Sequence, residues 1–281
     1  MNIEQNYLDN IDVLIKLAFE EDIANGDVTT NSLIESDKVC SGFFMTKEEG
    51  IVSGLEVAKL VFEKLDDKFI WNPIIKDGER VSNKTVIVKF KGSHRALLTG
   101  ERTALNFIQR MSGISTKTNL YVNEVKDYKT EILDTRKTLP GFRLLDKYAV
   151  KMGGGTNHRF GLYDLVMIKD NHITVAGSIT KAVERIRNKN IDNLKIEVET
   201  KNIEEVKEAL DCKVDIIMLD NMSTSEMELA VKIIDGQATS EASGNMVLER
   251  LKEVAAAGVD FISVGALTHS VKGLDISMYT K

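Results

Sequence analysis

The chain contains few cysteine, proline and aromatic residues, and it has no long apolar run. Its two cysteines among 281 residues, Cys40 and Cys212, lie far apart and show no Cys-x-x-Cys spacing. The pattern therefore gives no support to a disulfide framework, a zinc site or a thiol redox motif. No stretch approaches the roughly 18 uninterrupted apolar residues that span a bilayer, and residues 1–30 carry no signal-peptide pattern. We expect a cytoplasmic protein with no membrane partner.

Positive charge is also scarce. Lysine and arginine number 37 against 43 aspartate and glutamate residues, which gives a formal net charge of -6. Affinity for a phosphate backbone depends on clustered positive charge, so we expect no nucleic-acid partner. Any basic site must be local. The 43% hydrophobic content and the length are those of a globular protein with a substantial core.

Short apolar runs that end in polar residues alternate with segments of helical period from about residue 113 onward. The runs are EILDTRK, LVMIKDNH, KIEVET, DIIMLDN, QATSEASGN and DFISVGALTH. Repeated strand–helix units indicate a parallel sheet. Six such strands favour a closed or nearly closed α/β barrel over an open doubly wound sheet.

The first hundred residues follow a different pattern. The stretches KVCSGFFMTKEEGIVSG and ERVSNKTVIVKFKGS are typical of strands, and the helical LEVAKLVFEKLDD separates them. A helical segment, LLTGERTALNFIQRMSGISTKTNLYVNEVK, then leads into the alternating part. We therefore expect a small α+β domain with its connecting helix over residues 1–112. An α/β barrel domain should follow over residues 113–281, with a C-terminal segment that can pack back on the N-terminal domain.

The polar residues that follow each apolar run should converge on one mouth, because α/β barrels place their active sites at the carboxyl ends of the strands. Those positions hold Asp134, Arg136, Lys137, Lys169, Asp170, Asn171, His172, Glu197, Glu199, Asp220, Asn221, Glu241, Ser243, Gly244 and Gly265. Basic members, joined by His158 and Arg159 on a loop, suit an anionic ligand. Carboxylates beside a polyanion hold a divalent cation or stabilise developing positive charge. Small residues at the last two strand ends allow a phosphate to approach the backbone. The pattern indicates a phosphorylated sugar with an acidic partner.

Each feature also has an ordinary structural interpretation. The glycine run at residues 153–155 lacks the GK[ST] of a P-loop, and a tight turn that brings His158 and Arg159 over the mouth explains it better. Glu197 and Glu199 could simply pair with lysines inside the barrel. Compatible chemistry at six strand ends favours the functional interpretation.

A set of stretches, in order, resembles the quinolinate phosphoribosyltransferase family. They are EDIANGDVTT, GERTALNFIQRMSGIST, DTRKTLPGFR, KMGGGTNHRFGLYDLVMIKDNH, IEVET, MLDN, EASGN and VGALTHS. The resemblance implies an N-terminal open α/β sandwich and an incomplete, seven-stranded α/β barrel. It also implies a homodimer, in which the N-terminal domain of the partner completes the site. The implied reaction joins quinolinate to phosphoribosyl pyrophosphate (PRPP) with Mg²⁺ and no organic cofactor, and yields nicotinate mononucleotide, pyrophosphate and CO2 for NAD biosynthesis.

The same resemblance implies roles for individual residues. The residues that would bind quinolinate are Arg102, supplied across the dimer interface, and Arg136, His158, Arg159 and Lys169. Lys137 would lie beside both substrates, while Glu199 and Asp220 would serve the ribose and Mg²⁺; these three are the expected catalytic residues. The expected phosphate contacts are Ser243, Gly244, Asn245, Gly265 and Ala266. The family usually has Ser-Gly-Gly where this chain has Ser243, Gly244 and Asn245, and Asn tolerates a positive φ better than most residues.

Three other functions remain open at this point. A phosphoribosyltransferase of the same fold could act on nicotinate, or on the substrate of the relatives associated with molybdenum transport. A Schiff-base aldolase could use Lys169, although the acidic pair would then have no role. A protein that senses a pyridine dicarboxylate would bind without turnover. No role is predicted for Asp170, Asn171 and His172 beyond support of the mouth.

Overall fold

The structure is a computed structural model that describes residues 3–189 and 194–281, with side chains from residue 9 onward. Its helices are α1 Ile3–Asp22, α2 Val28–Leu33, α3 Leu55–Glu63, α4 His94–Val125, α5 Arg143–Met152, α6 Asp170–Ala176, α7 Ile179–Arg187, α8 Ile203–Asp211, α9 Thr224–Ile234, α10 Leu251–Ala256 and α11 Ala266–His269, with a 3-10 turn at Leu248–Arg250. Its strands are β1 Val39–Thr46, β2 Gly50–Ile51, β3 Ile70–Pro73, β4 Arg80–Val81, β5 Val86–Ser93, β6 Glu131–Leu133, β7 Val166–Ile168, β8 Ile196–Thr200, β9 Ile216–Asp220, β10 Thr239–Ser243, β11 Phe261–Ser263 and β12 Ile276–Thr280.

Contacts divide the chain into two compact units. The first unit comprises Met1–Asn119, Thr138–Gly154 and Ser270–Lys281, and the second comprises Leu120–Lys137 and Gly155–His269. The predicted division after residue 112 cuts the chain once, whereas the first unit also takes in two later segments. One of them contains β12, which pairs antiparallel with β1.

The first unit is built on a four-stranded antiparallel sheet in the order β12-β1-β5-β3, beside the two-stranded β2-β4 ribbon. Aromatic side chains fill its core. Phe44 on β1 lies 5.5 Å from Phe90 on β5 and 5.8 Å from Trp71 on β3, measured between ring centroids. Phe62 on α3 stacks on Phe90 at 6.1 Å. Each aromatic ring buries a large apolar area, so this cluster fixes α3 against the sheet.

The second unit contains a six-stranded parallel sheet in the order β6-β11-β10-β9-β8-β7. A single parallel bridge from Leu133 to Thr156 occupies a seventh position beside β6. Among the described residues no ladder joins β7 to this other edge, so the sheet stays open. The closed barrel favoured by strand counting is therefore wrong, and the predicted incomplete α/β barrel is confirmed. Counting strands could not reveal that β7 has only three residues and pairs only with β8.

Polar caps start the helices that return the chain between strands of this sheet. Side chains of Ser178, Asn202 and Ser223 each accept a hydrogen bond from the backbone N–H three residues later, at the starts of α7, α8 and α9. Such caps satisfy amides that would otherwise lack partners. Each helix then lies between two parallel strands, so all the carboxyl ends of the strands meet at one edge.

Over the described residues, none of the helices combines the length and apolar character needed to cross a membrane.

The glycine run that follows α5 forms a tight turn. A Cβ on Gly153 would lie 2.5 Å from the Ser115 carbonyl oxygen of α4, so only glycine fits there without a backbone shift. Gly154 has a φ of +91°, in the left-handed region that glycine adopts at little cost. The run therefore ends α5 and packs it against α4.

The replacement Gly153→Ala should lower the free energy of unfolding by about 1–3 kcal/mol, the usual cost of overpacking a tight site. Gly273→Ala is the matched control, because a Cβ there would meet its nearest atoms at an ordinary 3.5 Å. Urea denaturation followed by circular dichroism measures both. Equal stability of the two variants would contradict the packing role of Gly153.

Candidate active site

A cavity of about 430 Å³ lies at the carboxyl ends of the strands of the second unit. Its lining consists of Thr135, Arg136, Lys137, His158, Arg159, Met167, Lys169, Glu199, Met218, Asp220, Glu241, Ser243 and Ser263. The structure thus brings together seven of the fifteen residues that the strand-end pattern predicts, along with His158 and Arg159 of the loop. Their convergence follows from the parallel order of the sheet.

Arg136 and Arg159 bring two positive charges into this cavity. The Nε of Arg136 is buried and has no hydrogen-bond partner among the described residues. Arg159 donates to the Leu165 carbonyl oxygen at 3.1 Å. Burial, followed by the charge of Arg136, lowers the pKa of Arg159. Within the described chain neither guanidinium forms an ion pair with a carboxylate. Two neighbouring positive charges that lack a carboxylate partner favour the binding of an anion.

His158 faces two buried glutamates. Its Nε2 lies 3.1 Å from Glu197 Oε2 and 3.3 Å from Glu241 Oε2. Both glutamates are almost fully buried. Burial alone would lower the pKa of His158, but the two carboxylates outweigh it and raise the pKa to about 10. Burial raises the pKa of Glu197, and the nearby charge of Glu241 adds to that effect.

Two kinds of contact act in opposite directions on the protonation of the His158 ring. The backbone N–H of Arg159 lies 2.6 Å from Nδ1, a contact that favours the neutral ring over the fully protonated one. The two glutamates favour the protonated ring, and together they outweigh the effect of burial on the pKa of His158.

Asp134 holds the segment that carries His158. It is fully buried at the end of β6 and accepts hydrogen bonds from the His158 backbone N–H at 2.9 Å and from Asn157 Nδ2 at 2.6 Å. The sequence placed Asp134 at the mouth, whereas the structure gives it this positioning role.

Lys169 and Glu199 form an ion pair, with 2.9 Å between Nζ and Oε2. The sequence assigned them to different ligands, a carboxylate and a ribose. Residues after Lys169 acquire structural roles. His172 Nδ1 accepts a hydrogen bond from the Lys169 backbone N–H at 3.0 Å at the start of α6, and Asp170 pairs with Lys201 at 3.1 Å.

The small residues expected to contact phosphate lie at the ends of β10 and β11. Ser243 lines the cavity, and Gly244 and Asn245 follow it with φ values of +89° and +50°. A Cβ on Gly265 would lie 3.0 Å from Lys137 Cδ, which shows how closely this backbone approaches the lysine. Ala266 begins α11.

Arg102 belongs to the first unit. It lies on α4 and lines a separate cavity of about 280 Å³ with Glu21, Asp22, Arg110 and Phe142. Arg110 in turn forms a bidentate pair with the buried Asp146, at 3.0 and 2.7 Å.

Two sets of carboxylates could hold a cation. His158, Glu197 and Glu241 form the one three-residue group with suitable spacing in the described part of the chain. Glu199 and Asp220 line the cavity as a pair without a third such ligand. A pair suits Mg²⁺, which prefers one or two carboxylates and completes its shell with substrate phosphates and water. The sequence placed Glu197 and Glu241 at strand ends, but their spacing gave no sign that both would face His158.

The His158 ring should not titrate between pH 6 and 8.5. Its pKa of about 10 exceeds the ordinary 6.5, so the stability that its proton contributes is complete below about pH 6.5 and is lost as the pH rises through about 10. Glu241→Gln removes one of the two charges and should lower the pKa. Imidazole ¹⁵N chemical shifts across the pH range measure both proteins. A wild-type midpoint near 6.5 would contradict the shift.

Comparison with known proteins agrees with this geometry. The family models for the N-terminal and C-terminal domains of quinolinate phosphoribosyl transferase match residues 27–112 and 114–279. The chain is 46% identical over 272 residues to the Synechocystis protein named probable nicotinate-nucleotide pyrophosphorylase (carboxylating), covering 95% of this chain and 92% of that one. It is 44% identical to the chloroplastic enzyme of that name from Arabidopsis thaliana, with coverage of 96% and 82%.

A solved structure of the nicotinate-nucleotide pyrophosphorylase from Francisella tularensis superimposes with a TM-score of 0.94 at 44% identity, covering 97% of this chain and 96% of that one. Similarity of this extent runs through both units. The chain belongs to the quinolinate phosphoribosyltransferase family.

Proposed function

We propose that the chain transfers the phosphoribosyl group of PRPP to quinolinate and decarboxylates the product, giving nicotinate mononucleotide, pyrophosphate and CO2. One observation carries the proposal. The cavity presents two guanidinium groups without a carboxylate partner in the described chain, next to the carboxylates of Glu199 and Asp220. A dicarboxylate suits the first feature, and a phosphorylated ribose with its metal suits the second.

The arginines bind and orient quinolinate. Arg136 and Arg159 each offer a planar fork that matches a carboxylate, and Lys169 adds a point charge. This arrangement turns the pyridine nitrogen towards C1 of the ribose. The two reacting atoms are then already oriented for bond formation, which lowers the entropic cost of bringing two substrates together. The nitrogen lone pair forms the N–C1 bond as the C1–O bond breaks, and pyrophosphate leaves with that electron pair.

Charged residues beside the ribose and the pyrophosphate offset the charges that develop during the reaction. Glu199 and Asp220 stabilise positive charge that develops on the ribose, and Lys137 offsets negative charge on the departing pyrophosphate. The same two carboxylates would hold Mg²⁺, which when bound supplies further neutralisation of the pyrophosphate.

Decarboxylation needs no organic cofactor in this scheme. After N–C1 bond formation the ring nitrogen is quaternary and positively charged. The C2–carboxylate bond breaks, CO2 leaves, and the electron pair stays on C2 beside the cationic nitrogen until C2 takes up a proton.

The assembly is part of the proposal. We expect a homodimer in which Arg102 of one subunit reaches the quinolinate site of the other. In its own subunit Arg102 lines a cavity together with Glu21 and Asp22. The cytoplasmic location expected from the sequence remains a prediction.

The alternatives fit the site less well. Nicotinate has one carboxylate, for which two arginines and Lys169 are more than is needed. A Schiff-base lysine needs a free amine, whereas Lys169 Nζ is engaged by Glu199 at 2.9 Å. A binding protein would have no use for the metal-compatible pair of Glu199 and Asp220.

Purified protein with quinolinate, PRPP and Mg²⁺ should form nicotinate mononucleotide, because each substrate has a complementary set of groups in the cavity. Chromatography of the product and release of label from the 2-carboxylate measure the reaction. A parallel reaction with nicotinate in place of quinolinate tests the nearest alternative. No product from quinolinate, or faster turnover of nicotinate, would rule the proposal out.

Arg136→Ala should weaken quinolinate binding by about 2–5 kcal/mol, since a carboxylate is left unpaired in the site. PRPP binding should be mostly retained. Arg185→Ala is the control, because Arg185 is exposed on α7 of the same unit. Isothermal titration calorimetry with each substrate measures the effect, and near-normal quinolinate affinity in Arg136→Ala would count against this role.

A further inference from the structure

Two asparagines with left-handed backbone lie at the ends of neighbouring strands. Asn221 follows β9 with a φ of +55°, and Asn245 follows β10 with a φ of +50°. The strands are directly paired, with Ser243 opposite Asp220. Residues with a side chain rarely adopt this conformation, and Asn does so at less cost than most. Such positions persist where the surrounding structure requires them, and they cluster at functional sites.

The side chains of these asparagines form a relay to Asp220. Asn245 Nδ2 donates to Asn221 Oδ1 at 3.3 Å, and Asn221 Nδ2 donates to Asp220 Oδ2 at 2.8 Å. An amide has one accepting end and one donating end. Because Asn245 engages the accepting end of Asn221, the donating end faces the carboxylate. A rotated amide would place its oxygen against the negative charge of Asp220.

Gly244 provides the space that this amide occupies. A Cβ at position 244 would lie only 2.2 Å from Asn221 Oδ1 and 2.5 Å from its Cγ. The backbone N–H of Asn221 also donates to the Ser243 carbonyl oxygen at 2.9 Å. These two contacts place the loop after β10 against the Asn221 side chain, and neither of them is one of the hydrogen bonds of the relay.

We propose that Asn221 is a positioning residue that aims the Asp220 carboxylate at the ribose and metal end of PRPP, and that Asn245 locks the Asn221 amide in the required orientation. The inference rests on the proposed function, in which Asp220 serves that end.

Loss of the relay should affect the binding of PRPP and not that of quinolinate. Quinolinate is bound by Arg136, Arg159 and Lys169, none of which contacts the relay through the hydrogen bonds and ion pairs described for these residues. Loss of the relay should therefore weaken PRPP and leave quinolinate unchanged. A general loss of structure would weaken both.

Asn245→Gly tests the lock with little disturbance, because glycine keeps the positive φ freely and only the amide is removed. The dissociation constant of PRPP with Mg²⁺, measured by calorimetry without quinolinate, should rise about two- to tenfold, the usual worth of one hydrogen bond. Asn221→Gly removes the direct donor to a charged group and should raise it further. Quinolinate affinity and the melting temperature should stay at the wild-type level in Asn245→Gly.

Asp235→Gly is the matched control. Asp235 also has a left-handed φ, of +43°, but it caps the end of α9 and does not line the cavity. The control should bind PRPP as the wild type does. Unchanged PRPP affinity in both asparagine variants, or an equal loss of quinolinate affinity, overturns the positioning role alone. A wild-type protein that binds no PRPP overturns the proposed function and the positioning role with it.

Discussion

The central constraint in the second unit is the pair of guanidinium groups at Arg136 and Arg159. Both are partly buried, and burial together with the charge of Arg136 lowers the pKa of Arg159. The nearby acidic groups are engaged elsewhere: Glu197 and Glu241 face His158, and Glu199 faces Lys169. The two arginines are therefore left for a ligand, and a small dicarboxylate is the simplest anion that relieves both.

The scaffold explains how these groups reach one place. Parallel strands separated by capped helices end at a single edge, and hydrogen bonds between polar groups hold the loop residues there. Asp134 holds the backbone of His158, and Gly244 admits the amide that contacts Asp220. Precision in such a site comes from supporting hydrogen bonds, because side chains on loops are otherwise free to move. This requirement accounts for buried carboxylates that no substrate needs to touch.

Much of this site could be predicted from the sequence, for a definite reason. Strand–helix alternation identifies strand ends, and parallel strands bring Arg136, Lys169, Glu199 and Asp220 together whatever their exact angles. Hydrogen-bond partners depend on distances of a few tenths of an ångström, which spacing does not contain. The contacts of Glu197 and Glu241 with His158, and the hydrogen bond that His172 accepts at the start of α6, were therefore not predicted. The open edge of the sheet followed from the family resemblance and not from counting strands, because strand number alone does not determine closure.

A crystal structure of the protein with bound quinolinate would show whether Arg136 and Arg159 bind a dicarboxylate. The two carboxylates of the ligand should lie within hydrogen-bonding distance, about 2.7–3.2 Å, of the two guanidinium groups. The ring nitrogen should then face the Glu199 and Asp220 side of the cavity. Carboxylates that contact neither arginine would contradict the binding of quinolinate by Arg136 and Arg159.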